Sequence, residues 1–496
     1  MPLTSQKLYI VIRLSGASLF SLIPPNPNAI AQPESPRPIP LMDLPSLTSF
    51  LEKHPSIKSY TRSSPEFDEL SAAYVIFPHK APVIVRPQSA DDVCALVTHC
   101  VATDTPFVVS SGLHDTSGRS QVEGALRIDM RDIAYVEVAE DRQTAKVGGG
   151  VLCVDLLEAL AKEDLMTPSP VVGSVGYAGW LTQGGYSGTM ARFGLGIDQL
   201  VGARVVNHKG ECVEADEDLL EGLRGGGGNF GIVVELTIKT YPQQEVQSGL
   251  IIFQPKDPMT DIKGFFQKWN DLVADGLPER LSLFPLVYHV PDVGPCAAVL
   301  FTWLGSLDDE GAAWRDRVAA MGGPALMNGI KTTTLARSVV EIADVIAATN
   351  YPGRAETVNV RGLRFSDEVI DVLARYGAAM PPSASVAGIH VCHGYSTRNT
   401  ANPALFRYRV THCMLEIVGL SSTPEGAEEC RAWAAGFGRE MREAEGVLEG
   451  SYLPLTPQDV VDLEKIYGAK YGRLLELKRR YDPHNVFRNA LPRLEV

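Results

Sequence analysis

The chain begins without a regular hydrophobic period. Up to about Pro40 it is rich in proline, and packed structure is expected to start near Asp43-Leu44-Pro45. Short apolar runs follow. Val83-Ile84-Val85 lies between Pro82 and Pro87 and reads as a strand. Asp91-Asp92-Val93 opens a helix that runs to Val101, with carboxylates in its first turn. Phe107-Val108-Val109 is the next strand. Strand, helix and strand within roughly thirty residues make a βαβ unit. Further strands are predicted at Leu126–Ile128, Val136–Val138, Ala145–Val147, Val201–Val206 and Ile232–Ile238, with a helix over Val151–Lys162. After Tyr241-Pro242 glycine thins, and longer alternating strands and helices continue to about Leu448, which predicts a second domain. Leu463–Arg480 has the pattern of a charged amphipathic helix, stopped at Tyr481-Asp482-Pro483.

With 496 residues the chain is too long for one compact core. Lys plus Arg is 45 against 59 Asp plus Glu, a formal charge of −14, which argues against nucleic acid as a partner. No apolar run is long enough to span a bilayer, so no membrane partner is expected. Eight cysteines are scattered without a CxxC pair and read as thiols. Near the N-terminus, Lys7 and Arg13, the stretch Leu14–Ile23 and Ala29-Ile30-Ala31 resemble a secretory leader. Ser and Gly inside that stretch, Pro24-Pro25 after it and the lack of any Asn-x-Ser/Thr acceptor weigh the other way. The balance leans to an intracellular protein, with secretion left open.

Several segments could carry chemistry. Gly226-Gly227-Gly228-Asn229-Phe230-Gly231 matches GxGxxG, but a helix-like segment precedes it and a strand follows, the reverse of a dinucleotide-binding turn. Ser110-Ser111-Gly112-Leu113-His114 follows a strand directly; small residues there free backbone N–H groups that could hold a phosphate, and the plainer reading is a tight surface loop. Neither Ser174 nor Ser187 sits in GxSxG, which disfavours a serine hydrolase. His390-Val391-Cys392-His393 could suggest a metal, but no second ligand cluster accompanies it, and core histidines are the better reading. No metal is expected.

Taken in order, Ser110–His114, the Gly148–Gly150 turn, Val171–Gly194, Arg224–Gly231 and Tyr481-Asp482-Pro483-His484-Asn485-Val486-Phe487-Arg488 resemble the berberine-bridge-enzyme-like family of FAD-linked oxidoreductases, within the vanillyl-alcohol-oxidase (PCMH-type) flavoproteins. The resemblance is good over about Ile84 to Tyr241 and from Tyr467 onward, and loose between. It implies an α+β fold: two α/β FAD-binding subdomains and a substrate domain whose antiparallel sheet is covered by helices. The corresponding division is an N-terminal extension over 1–42, an FAD-binding domain over 43–243, a substrate-binding domain over 244–454 and a C-terminal return over 455–496.

By the same resemblance the cofactor is FAD, held by Ser110, Ser111, Gly112, Leu113 and His114, by Gly173, Ser174, Gly179, Gly184 and Gly185, and at the adenine by Ile232 and Val233. His114 matches the histidine that bonds the flavin covalently. The family has arginine and glycines where this chain has Ser110, Ser111 and Leu113, and a leucine takes positive φ only at a cost. Val172 stands where some members carry a second, cysteinyl link, so a bicovalent flavin is not expected. Trp180 stands where a histidine lies near the flavin edge.

The implied reaction is hydride transfer from a small organic molecule to the flavin, with a base taking the proton and dioxygen as reoxidant, as in secondary metabolism. Ungapped counting from Phe406-Arg407 puts the base position at Leu415; a slip of one residue puts it at Glu416, with His412 on the same strand face. Tyr452 is a second candidate, if a cation lowers its pKa; the family's asparagine two residues on is Pro454 here. His289 is a weaker one. A carbohydrate oxidase of the same fold, a redox-neutral cyclase and a non-catalytic flavin-binding protein remain as alternatives. The sequence does not name the substrate.

Overall fold

The computed structural model describes residues 42–494 except 76, 78, 79, 347–351, 384, 399–401 and 422. The leader-like stretch Leu14–Ile23 lies outside the described residues. The first described helix, Leu44–Lys53, is capped by the Asp43 carboxylate.

The first sheet has the strand order Lys58–Thr61, Val83–Arg86, Leu126–Asp129, Phe107–Ser110. Its last three strands are parallel. The crossover helix Ala90–Ala102 is capped by Ser89 and buries Val93, Leu96 and Val97. Leu126–Asp129 thus lies between the two strands that this helix connects. Phe107–Ser110 delivers the loop 110–114 at the carboxyl ends of the strands. Open α/β sheets place ligands at such crevices.

A second, antiparallel sheet runs Val136–Val138, Thr144–Gly148, Ile232–Lys239, Leu200–Val206, Cys212–Glu214. Its core takes in residues from the far end of the chain: Ile466, Leu474 and Leu477 pack with Leu181, Leu223 and Leu236. The predicted single helix Leu463–Arg480 is broken in two, Leu463–Tyr467 and Tyr471–Tyr481, because Gly468 takes φ +55°. The second piece ends at Tyr481, before Pro483, and packs on the helix Glu217–Gly226.

The third sheet has nine strands. Its main path is Ala325–Asn328, Val246–Phe253, Gly294–Leu304, Leu281–Val290, Val386–Cys392, His412–Leu420, Gly353–Arg361, Val447–Leu448, with Lys331–Thr333 paired to Val246–Phe253. All pairings in it are antiparallel. Alternation gives it two different faces. Leu281, Leu283, Val358, Ile389, Leu415 and Ile417 face the helices Pro258–Leu272, Asp367–Ala378 and Ala427–Glu443 and form the largest core. The opposite face carries Phe284, Thr357, Asn359, Gly388, His390, His412, Met414 and Glu416, as the register requires. The architecture is α+β: two smaller subdomains, each with its own sheet, and a helix-backed antiparallel sheet.

Candidate active site

The loop after Phe107–Ser110 and the loop before the helix Tyr177–Thr182 are pressed together. A Cβ on Gly112 would lie 2.5 Å from the Ser174 carbonyl oxygen and closer still to the Gly176 nitrogen, so only glycine allows the approach. His114 Nε2 and Ser174 Oγ are 2.9 Å apart, and the imidazole stacks on Tyr74 at 5.0 Å between ring centres. Packing on most sides of the His114 ring pulls its pKa down to about 4, so the imidazole is neutral at neutral pH. The tautomer in which Nε2–H donates to Ser174 leaves a lone pair on Nδ1.

Leu113 takes φ +56° although it carries a side chain. The side chain is buried, and its carbonyl accepts from the Tyr74 N–H at 3.1 Å. Burying a leucine contributes more than the roughly 1 kcal/mol that the left-handed backbone costs.

These loops fit an anionic, flat cofactor. Ser110 Oγ is buried and has no hydrogen-bond partner among the described residues, as expected of a group kept for a bound oxygen. Ser174 and Gly179 are exposed, and nothing lies within 4 Å of where a Gly179 Cβ would be, which leaves room for a ring to lie on the start of the helix. Gly173 is buried against Val154. Ile232 is buried with Phe107 and Ile128 at the start of the central strand of the second sheet, and the Val233 carbonyl lies under Gly149.

Other glycines serve the frame. Gly184 lies against the Phe406 ring, Gly185 against Gly196, and Gly225 against the Phe406 backbone. The Asn229 amide donates to the Pro492 carbonyl at 2.9 Å, and that of Gln183 to Leu491 at 2.8 Å. The GxGxxG segment is therefore a packing device. Trp180, placed by resemblance near a flavin edge, has its indole N–H committed to the Tyr186 carbonyl at 3.0 Å.

The second half of the site is the sheet face. Glu416 Oε2 is 3.1 Å from His390 Nε2, and both side chains are partly exposed. The His390 ring meets Phe284 edge-on at 4.7 Å and Tyr186 at 5.7 Å. Register settles the one-residue ambiguity: Leu415 is 2% exposed in the helix-side core, whereas Glu416 points the other way.

Three expectations need correction. His412 shares a face with Glu416 but does not bind it; it is 0% exposed, with Nε2 at 2.7 Å from the Tyr186 hydroxyl and Nδ1 at 2.7 Å from the Val410 carbonyl. It cannot touch a substrate. Tyr452 is not made acidic by a cation: burial pushes its pKa up, the Gly185 N–H opposes the rise, and Glu416 adds to it. His289 sits at the far end of Leu281–Val290, opposite Pro295, on the face away from Phe284. His390, expected to be a core histidine, is partly exposed and sits against Glu416 on the sheet face. Nothing in the sequence alone pairs its strand with that of Glu416.

Tyr452 is fixed by its backbone. Its N–H donates to Thr357 Oγ1 at 2.9 Å, and its carbonyl accepts from Thr456 Oγ1 at 2.8 Å. The 110–114 loop docks beside it, because Arg119 donates to the Leu453 carbonyl at 2.9 Å while paired with Asp115. The 110–114 side and the third sheet thus meet at Tyr452-Leu453, just before the C-terminal return.

Fold and loops together define an FAD-linked oxidoreductase. Residues 81–216 match the FAD binding domain family, and residues 462–492 match the berberine and berberine-like family. The chain is 28% identical over 449 residues to the FAD-linked oxidoreductase aurO of Gibberella zeae, covering 89% of this chain and 87% of that protein. Its fold is similar to that of 6-hydroxy-D-nicotine oxidase from Arthrobacter nicotinovorans, with TM-score 0.77, 21% identity and coverage of 88% and 97%. It is also similar to glucooligosaccharide oxidase from Acremonium strictum, whose FAD is 6-S-cysteinyl and 8α-N1-histidyl, with TM-score 0.75, 18% identity and coverage of 89% and 97%. The chain thus carries an FAD binding domain and a berberine-like C-terminal segment, it is similar over most of its length to FAD-linked oxidoreductases, and its cofactor is FAD.

Proposed function

We propose that this protein oxidises a small organic molecule by two electrons in the cleft between the 110–114 and 173–179 loops and the third sheet. What supports the reading is the meeting of those loops around a buried Ser110 hydroxyl and a neutral His114, docked through Arg119 beside Tyr452, a residue that feels the Glu416 carboxylate. The chemistry FAD supplies when bound is two-electron acceptance from a C–H bond, with dioxygen as the terminal oxidant.

The chain's own residues do the rest. Ser110, Ser111 and the freed backbone amides hold the diphosphate. His114 offers Nδ1 for a single covalent attachment while Ser174 holds Nε2. Val172 has no thiol for a second link. Glu416, held by His390, takes the substrate proton. Tyr452 keeps its own proton, because burial disfavours the phenolate, and donates it as a hydrogen bond to a substrate oxygen or nitrogen. Phe284 and Phe406 help keep water out. In this reading 43–243 and 455–496 form the flavin domain, and 244–454 covers it.

The test is the visible spectrum of the purified protein after FAD addition, followed by acid precipitation. A flavin spectrum and a yellow pellet are expected. A protein that takes up no flavin ends the reading; a flavin lost to the supernatant ends the covalent attachment alone. Oxygen uptake against a panel of phenols, alicyclic alcohols and sugars then separates an oxidase from a redox-neutral enzyme.

A further inference from the structure

The site holds two buried polar side chains that the proposed reaction does not use. Tyr186 is 3% exposed and His412 is 0% exposed, so neither meets a substrate. Burying a phenol and an imidazole is costly unless each finds a partner, and here the partner is the other. The His412 Nδ1–H donates to the Val410 carbonyl at 2.7 Å, which leaves Nε2 as an acceptor for the Tyr186 O–H at 2.7 Å. Burial holds the His412 pKa at about 4, so the acceptor is present at neutral pH.

Tyr186 leads to Tyr452 by two routes. The two rings meet edge to face, 5.0 Å apart and at 89°. The residue before Tyr186 is Gly185, whose backbone lies near enough to the Tyr452 phenol to oppose the burial-driven rise of its pKa.

We propose that His412 is a positioning residue that sets the Tyr452 phenol toward substrate through Tyr186. The inference rests on the reading above in one respect: that Tyr452 faces substrate. Its physical content concerns only where the phenol sits.

The experiment places 3-fluorotyrosine at position 452 of the FAD-loaded protein and follows its ¹⁹F resonance. Variants are His412→Phe, Tyr186→Phe, the double variant and His412→Gln. Glutamine can accept from Tyr186 and donate to Val410, as histidine does. His412→Phe and Tyr186→Phe should each shift the Tyr452 rotamer equilibrium roughly tenfold, about the worth of one hydrogen bond, and show a second resonance. The double variant should be no worse than either single one, and His412→Gln should resemble the parent.

An unchanged single resonance in His412→Phe overturns the proposal, as do additive effects in the double variant. Fluorotyrosine at 376, which stacks on Phe437 away from the site, is the control. An equal change there means general loosening and also overturns it. The visible spectrum of the same samples reports separately on the flavin reading.

Discussion

Two histidines and a carboxylate carry most of the chemistry proposed for this molecule. His114→Ala should give protein whose acid-precipitated pellet is colourless, while FAD added back still binds. Glu416→Gln should lower kcat by about 10²- to 10⁴-fold, the usual worth of a positioned base; His390→Asn, which leaves the carboxylate, should cost less. Both are read as anaerobic flavin bleaching with a substrate found in the oxygen-uptake screen. Equal rates for Glu416→Gln and the parent would remove Glu416 from the mechanism. Leu113→Gly sets two effects against each other. It relieves about 1 kcal/mol of backbone strain but removes a buried side chain worth about 2–5 kcal/mol, so net destabilisation in urea is expected. His114 was reached only through the family resemblance, because the strand and small residues before it read by themselves as a tight surface loop. His390 was not reached at all, because its meaning depends on a neighbouring strand and on register.

Single elements show the same division. The strand His412–Leu420 has a helix-side face closed by Cys413, Leu415 and Ile417 and a site face with His412, Met414 and Glu416. Leu415→Glu should therefore destabilise by several kcal/mol, since it buries an unpaired charge. Glu416→Leu should melt close to the parent temperature while losing turnover. Similar losses of stability in both would mean that the register is different. The resemblance placed the strand, but not which residue of the Leu415-Glu416 pair faced away from the helices, because a shift of one flips every side chain. The segment 463–481 shows the converse: its apolar period survives the break at Gly468, so periodicity alone could not see the break.

The whole molecule should feel its buried histidines through pH. His393 and His412 are each held at about pKa 4 by burial, against about 6.5 when unfolded. Between those values the unfolded chain binds protons that the folded chain refuses, so stability rises with pH across the window. Each histidine contributes about 1.4 kcal/mol per pH unit there. Urea melts at pH 7, 6 and 5 should show falling stability, and His412→Gln should flatten the slope; a flat parent profile would contradict this. At this scale the long strands of the third sheet begin at Val246, just after the change in glycine content at Tyr241-Pro242. The meeting of both halves at Tyr452 needed the third dimension. The layering has a stereochemical consequence. Were the flavin ring to rest with one side on the 173–179 loop and helix, as proposed, a reactant could approach only from the sheet side. At a prochiral CH₂ only one of the two hydrogens should then be removed, and a substrate deuterated at that carbon in one configuration should lose its label while its mirror-labelled counterpart keeps it.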